Sequence, residues 1–154
     1  PTPETAIDAI HKAGGLAILA HPFAPPKLTA AQAQTLALDA IETANARAML
    51  KKGANDKARA LAAQLGLPET GGSDAHCAGE LGGCVTEFFC EPSVSALRQA
   101  LAAGQTRPAE LHACKWVWKG LSKIRREKTC GTFFSRCKAL CYFAGCVLRD
   151  VFHI

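Results

Sequence analysis

The segment Gly-Gly-Ser-Asp-Ala-His at residues 71–76 carries two side chains with the chemistry of metal ligands. Asp74 and His76 are two residues apart, so on an extended backbone their side chains point to the same side. A carboxylate oxygen and an imidazole nitrogen that converge in this way are common ligands of divalent cations. Gly71 and Gly72 permit the sharp backbone turn that such a loop needs. The alternative is an ordinary turn or helix cap with a surface histidine, and the pair alone does not exclude it.

His21 ends a second segment with the same potential. Residues 16–22, Leu-Ala-Ile-Leu-Ala-His-Pro, are apolar up to the histidine, which predicts a strand buried on both faces in a parallel sheet. Proline disfavours the helical region for the residue before it, so Pro22 is expected to hold His21 extended at the carboxyl end of that strand. Another predicted strand, over residues 37–45, carries Glu42 and Asn45 near its end.

Helices alternate with these strands along the first two thirds of the chain. Helical spacing and end signals predict helices over residues 1–15, 55–66 and 93–104, and further strands begin at Pro68 and Cys84. Alternation of this kind favours right-handed βαβ units in a parallel sheet or barrel. In such folds polar chemistry gathers at the carboxyl ends of the strands. The candidate residues that fall at such ends are His21, Glu42, Asn45, Asp74 and His76.

These segments together resemble the later part of the PHP domain, the polymerase and histidinol phosphatase superfamily of metal-dependent phosphoesterases. The resemblance covers roughly residues 3–107 and includes, in order, the His-Pro motif at His21, the acidic residue and asparagine of a strand end, and the Ser-Asp-x-His motif that ends at His76. It implies an α/β fold, namely the later strands of a distorted (β/α)7 barrel. Residues 1–107 are then the C-terminal part of a PHP phosphoesterase domain.

The resemblance also implies roles for individual residues. His21, Asp74 and His76 match family metal ligands, whereas Glu42 and Asn45 match pocket positions that contact the substrate or orient the ligands. The complete family site holds two or three divalent ions, with Mn, Zn, Fe or Mg as candidates. The implied activity is hydrolysis of a phosphate ester by metal-bound hydroxide, and a nucleotide or short oligonucleotide is a compatible substrate. No residue of this chain is assigned as the catalytic group.

The chain departs from the family pattern in its ligand set. The family's first His-x-His motif, its Asp-His pair and a bridging glutamate have no candidates here, and we expect them upstream of Pro1. Because loss even of groups that orient metal ligands commonly lowers affinity or activity by about 10–100-fold, a chain without several ligands is expected to be nearly inactive alone.

Residues 108–154 are predicted to form a basic, Cys-rich helical tail. Residues 112–154 hold 9 Lys and Arg against 2 Asp and Glu. Their apolar spacing predicts two helices that are separated near Gly131, with buried thiols at the tail cysteines. One interpretation is that the tryptophans pack on the domain and the lysines face water. The functional alternative is a non-catalytic PHP-like scaffold whose tail binds nucleic acid, an anionic membrane surface or a partner protein.

Targeting and membrane signals are weak in this sequence. The first ten residues include acidic side chains and lack the apolar core of a signal peptide. The longest apolar run, residues 139–148, is about half a membrane span. These observations predict a chain without a transmembrane segment, a cytoplasmic location and eight free thiols.

Overall fold

The computed structural model describes residues 2–23 and 29–152, and these form a mixed α/β structure. The sequence of residues 23–34 predicts a loop followed by a short helix, and positions 24–28 of that loop lie outside the described residues. The helices are α1 (Pro3–Lys12), α2 (Ala30–Gln34), α3 (Ala54–Leu65), α4 (Val94–Ala102), α5 (Trp116–Cys130) and α6 (Phe133–Phe152). The strands are β1 (Ile18–Leu19), β2 (Ala40–Asn45), β3 (Glu69–Gly72), β4 (Cys84–Phe88) and β5 (Thr106–Glu110). Short 3-10 turns occur at Ala48–Leu50 and Ala78–Glu80.

Local sequence signals account for several helix ends. The Thr2 side chain accepts a hydrogen bond from the backbone N–H of Thr5 and caps α1, and Ser93 caps α4 by accepting from Ala96. Helix α3 ends at Gly66, which has the left-handed φ of 64° that glycine adopts without a steric penalty. These caps confirm the helix signals predicted from the sequence.

Strands β1, β2 and β3 form a parallel sheet in that order. The central strand β2 supplies Ile41, which is fully buried against Leu61 and Ala62 of α3. β1 has only two residues, and Ile18 is 44% exposed because it lies on the edge strand of the described sheet. The prediction that this segment is buried on both faces is therefore wrong.

β4 and β5 form a separate antiparallel pair. The Thr86 hydroxyl of β4 accepts from the backbone N–H of Gly71 and donates to its carbonyl, both at 2.8 Å. The Thr86 hydroxyl therefore bonds both backbone groups that Gly71 would otherwise use to pair with a further strand. Among the described residues the strands form two small sheets and no closed barrel, so the α/β class is confirmed and a partial barrel is not.

Residues 116–152 of the tail form a helical hairpin that packs on the rest of the molecule. The Asp150 carboxylate of α6 accepts hydrogen bonds from the backbone N–H groups of Trp116 and Val117 at 3.0 and 2.7 Å, and a carboxylate is favourable at the amino terminus of a helix. A Cβ at Gly79 would lie 2.5 Å from the Trp118 ring, so this ring rests directly on the turn that follows His76. The division at residues 107 and 108 stays a prediction.

The predicted helix break near Gly131 is confirmed, because Gly131 ends α5. All eight cysteines are free thiols, as expected. Of the five cysteines in residues 108–154, Cys114 and Cys146 are buried, whereas Cys130, Cys137 and Cys141 are exposed. The expectation of buried thiols is wrong for these three: Cys130 lies at the end of α5, and α6 turns part of its apolar face outward at Cys137 and Cys141. Within residues 2–23 and 29–152 no helix combines the length and apolarity needed to cross a bilayer.

Candidate metal centre

The three predicted metal ligands line one cavity of about 260 Å³. His21 follows β1, and Asp74 and His76 follow β3, so the parallel sheet brings together segments that are more than fifty positions apart in the chain. The other side chains around this cavity are Arg47, Ala48, Lys51 and Lys119. We call this space the candidate cavity. Its lining combines two imidazoles and one carboxylate with three cationic side chains.

His21 has a backbone conformation that differs from the sequence prediction. Its φ is 31°, in the left-handed region, and not in the extended conformation that Pro22 was expected to impose. The backbone N–H of His21 donates to the Glu42 carboxylate at 2.8 Å, and this tertiary contact holds the turn. A positive φ costs a non-glycine residue roughly 1–3 kcal/mol, and such strain concentrates at functional sites.

Asp74 shares this feature, with a φ of 52°. His21 and Asp74 are the two non-glycine residues with positive φ among the described residues. The prediction of an extended segment from Asp74 to His76 is therefore wrong. A turn nevertheless brings the two side chains close, because Asp74 Oδ1 lies 3.8 Å from His76 Nδ1. Ligands at about 2.0–2.2 Å from one ion lie roughly 3.5 Å from each other.

The His76 ring has two competing contacts at Nδ1. The backbone carbonyl of Asp74 lies 2.8 Å from this nitrogen and Arg47 Nη1 lies 2.6 Å from it. A neutral Nδ1 either donates to the carbonyl or accepts from the guanidinium, but not both. In the first tautomer Nε2 carries a lone pair suited to a metal ion, as is usual when a ligating histidine donates its other N–H to a carbonyl.

Glu42 and Asn45 lie beneath the cavity and support His21. Glu42 Oε2 accepts from the His21 backbone N–H and from Asn45 Nδ2, at 2.8 and 3.0 Å. Burial raises the pKa of Glu42, and these two hydrogen bonds oppose the effect. Asn45 is buried, and its Oδ1 accepts from the Ala48 N–H. A Cβ at Gly72 would lie 2.5 Å from Glu42 Oε1, so the glycine makes room for the carboxylate.

Glu80 and Arg47 are central to the site, although the sequence reasoning did not single them out. The Glu80 side chain accepts from the His76 backbone N–H at 2.6 Å and from the Cys114 thiol at 3.1 Å, and it lies 3.0 Å from Arg47 Nε. Burial is the largest influence on Glu80 and opposes its ionisation. The hydrogen bonds and the guanidinium together hold its pKa below the usual value.

Only a weak signal in the sequence points to these two residues. Glu80 is an acidic residue four positions after His76 in a glycine-rich segment, and Arg47 comes two positions after Asn45. Neither position belongs to a motif. A carboxylate in a loop is usually solvated, so only the burial of Glu80 shows that it matters.

The donor chemistry of the candidate cavity fits a divalent ion, since imidazole and carboxylate are ordinary ligands for Zn, Mn and Fe. Within the part of the chain that the structure describes, however, no group of three His, Cys, Asp or Glu side chains is close enough to hold an ion by itself. His21, Asp74 and His76 thus share a cavity without converging on a single point.

Comparisons with known proteins give two similarities. Residues 52–106 match a family model described as PHP-associated. The crystal structure of PsfC from Pseudomonas syringae PB-5123 is similar to this chain, with a TM-score of 0.53 and 26% sequence identity over 83% of the chain. The chain spans 52% of the length of that PsfC chain. No curated protein sequence is significantly similar to this chain.

Proposed function

We propose that this chain, whose residues 52–106 form a PHP-associated segment, is part of a metal-dependent phosphoesterase and contributes His21, Asp74 and His76 as metal ligands. One observation carries the proposal. The two strained non-glycine residues of the described chain are His21 and Asp74, and both line the cavity that His76 also lines. Strain of this kind persists where the surrounding structure enforces it, most often at sites of ligand binding or catalysis.

Divalent ions in such a site supply positive charge to the phosphoryl group and lower the pKa of bound water. The reaction is transfer of the phosphoryl group of an ester to water, which releases an alcohol and phosphate. Phosphoryl transfer asks the protein mainly for placement and positive charge. Arg47, Lys51 and Lys119 line the same cavity and supply charge toward the phosphate oxygens.

The surrounding carboxylates orient the ligands. Glu42 holds the His21 turn through its backbone N–H, and Glu80 holds the backbone N–H of His76. Since a displacement of about 1 Å at an active site is sufficient to slow a reaction by about 100-fold, these two contacts matter for activity as well as for folding.

Metal binding by the 154-residue chain tests the proposal. Titration of Mn²⁺, followed by loss of its free EPR signal, is expected to show binding that His21→Ala and Asp74→Ala each weaken by at least about 10-fold. His112→Ala is the matched control, because His112 is exposed and outside the cavity lining. Phosphate release from a monoester with Mn²⁺ is expected to be slow, and slower still in Asp74→Ala.

Two results contradict the proposal. One is Mn²⁺ binding that His21→Ala and Asp74→Ala leave unchanged. The other is an equal loss of affinity in His112→Ala, which indicates non-specific coordination by surface imidazoles. Salt-sensitive binding of nucleic acid or anionic vesicles without any metal binding supports the non-catalytic alternative instead.

A further inference from the structure

A second cavity, of about 420 Å³, opens beside the candidate cavity between the turn after β2 and the first tail helix α5. Its cationic side chains are Arg47, Lys119, Lys123 and Arg126. We call it the cationic groove. The groove and the candidate cavity share Arg47, Lys119 and His76, so the two spaces are continuous. The groove lining contains no carboxylate among the described residues.

The tail hairpin holds the cations of the groove in place. Arg47 Nη2 donates to the Ser122 hydroxyl of α5 at 2.8 Å. Lys123 Nζ lies 4.5 Å from the centre of the Tyr142 ring of α6, and Lys119 Nζ lies 5.0 Å from the Trp116 ring. Cation–π contacts of this kind orient an ammonium group without neutralising its charge. The groove is thus a formed surface on two packed helices and not a set of freely solvated lysines.

The positive charge of the groove is only partly compensated, because Arg47 pairs at 3.0 Å with Glu80, which is outside the groove lining, while among the described residues the two lysines have no such partner. In the part of the chain that the structure describes, neither Lys119 nor Lys123 forms an ion pair with a carboxylate. Arg126 has one exposed contact with Glu127, at 3.3 Å. Burial lowers the pKa of Lys119, and repulsion by Arg47 and Lys51 adds to that effect. Partly desolvated cations that repel each other are stabilised by a bound anion.

Arg47 connects the groove to the ligand histidine. When His76 Nδ1 donates to the Asp74 carbonyl, the ring no longer accepts from Arg47 Nη1, although the two nitrogens are 2.6 Å apart. The Nη1 donor then needs another acceptor. An anionic oxygen at the junction of the two cavities satisfies it, in the way that guanidinium groups commonly bind phosphate.

We propose that the cationic groove binds a second phosphate of the substrate, so that the substrate class is a molecule with two phosphate groups. One phosphate lies in the candidate cavity and the other against Lys123 and Arg126. This inference rests on the proposed function for the first phosphate, whereas the groove itself requires no metal. Both a bisphosphorylated sugar and a 5′-phosphorylated dinucleotide carry this chemistry.

Calorimetric titration of the metal-free 154-residue chain tests the inference with two matched probe pairs. Fructose 1,6-bisphosphate is compared with fructose 6-phosphate, and 5′-phosphorylated dithymidylate with its unphosphorylated form. We expect the probe with two phosphates to bind about 10-fold more tightly in at least one pair, as one added charge-assisted contact provides. The pair that shows the difference identifies whether the second phosphate belongs to a sugar or to a nucleotide.

Single-residue variants locate the binding site. Lys123→Ala and Arg126→Ala are each expected to remove most of the advantage of the second phosphate and to leave binding of the singly phosphorylated probe within about twofold. Arg125→Ala is the matched control, since Arg125 is an exposed cation of α5 outside the groove lining. Arg126 is 72% exposed, so its removal does not threaten folding even if Lys123→Ala unfolds the hairpin.

Equal affinity within both probe pairs overturns the inference, and so does a loss in Arg125→Ala as large as that in Arg126→Ala. The Mn²⁺ titration tests the metal proposal independently of phosphate binding in the groove. If Mn²⁺ binding is insensitive to Asp74→Ala while the second phosphate still depends on Arg126, the metal proposal is wrong and the groove stands as an anion site.

Discussion

Arg47 Nε lies 3.0 Å from Glu80 Oε1 in an ion pair that is nearly inaccessible to solvent, with 12% of the arginine side chain exposed and none of the glutamate side chain. Among the described residues the buried Nε–H has no aligned hydrogen-bond acceptor, so the contact is mainly electrostatic. The Glu80 carboxylate also accepts hydrogen bonds from the His76 backbone N–H and from the Cys114 thiol. Its partner Arg47 lines the cationic groove. Glu80 is thus the point at which the candidate cavity and the tail are joined.

Glu80→Gln is expected to lower the free energy of unfolding by about 3–5 kcal/mol, because it leaves the Arg47 charge buried without its partner. Urea denaturation measures the change. Glu87→Gln is the matched control, since its pair with Arg107 is exposed and is worth about 1 kcal/mol or less. Equal losses in the two variants contradict a structural role for the buried pair.

Gly79→Ala is expected to destabilise the protein by about 1–3 kcal/mol and to shift its tryptophan fluorescence. Its Cβ would lie 2.5 Å from the Trp118 ring, and overpacking of this kind forces side chains to move. Gly145→Ala is the control, because no atom lies within 4 Å of a Cβ there and alanine favours a helix by about 1 kcal/mol. A Gly79→Ala variant as stable as Gly145→Ala argues against docking of α5 on this turn.

Gly72→Ala is expected to weaken Mn²⁺ binding by about 10–100-fold without unfolding the chain. The added Cβ displaces Glu42 Oε1, which lies 2.5 Å from its position, and so disturbs the turn at His21. Changes in the groups that orient metal ligands typically have effects of this size. The Mn²⁺ titration described above measures the loss. Unchanged affinity in a folded Gly72→Ala variant shows that Glu42 does not orient His21.

Thiol alkylation in the native protein at pH 8 is expected to separate the cysteines by burial. Burial raises the pKa of Cys114 to about 12 and that of Cys84 to about 11, so neither presents a thiolate. Cys130, Cys137 and Cys141 are exposed and react first. Peptide mass spectrometry after a short iodoacetamide pulse identifies the labelled sites. Rapid labelling of Cys114 contradicts its burial against Glu80.

Stability is expected to fall as pH rises above about 9. The folded-state pKa values of Cys84 and Cys114 exceed the usual value of 9.0, so between pH 9 and about 11 the unfolded state loses protons that the folded state retains. Each thiol then lowers the free energy of unfolding by up to about 1.4 kcal/mol per pH unit. Urea unfolding under reducing conditions measures this slope. The loss of unfolding free energy per pH unit is expected to be smaller in Cys114→Ala and unchanged in Cys130→Ala.

The sequence by itself determined the local elements, because their signals lie within a few neighbouring residues. Caps such as Thr2 and Ser93, and the helix break at Gly131, are read from side-chain type and spacing. The resemblance to the PHP family that the short motifs indicate is supported by the PHP-associated family model that residues 52–106 match. The ligand roles of His21, Asp74 and His76 stay predictions, although the parallel order of β1, β2 and β3 accounts for their common cavity.

Only the tertiary structure decided the features that depend on contacts distant in the chain. His21 is left-handed because Glu42, twenty-one residues later, accepts from its N–H. The sequence does not predict the pairing of β5 with β4, because Pro108 and its charged neighbours weaken the strand pattern. Glu80 shows no motif and acquires its importance only when folding removes it from water. Burial, which sets the energy of a charge, is a property of the whole packed chain and cannot be read from any single segment of it.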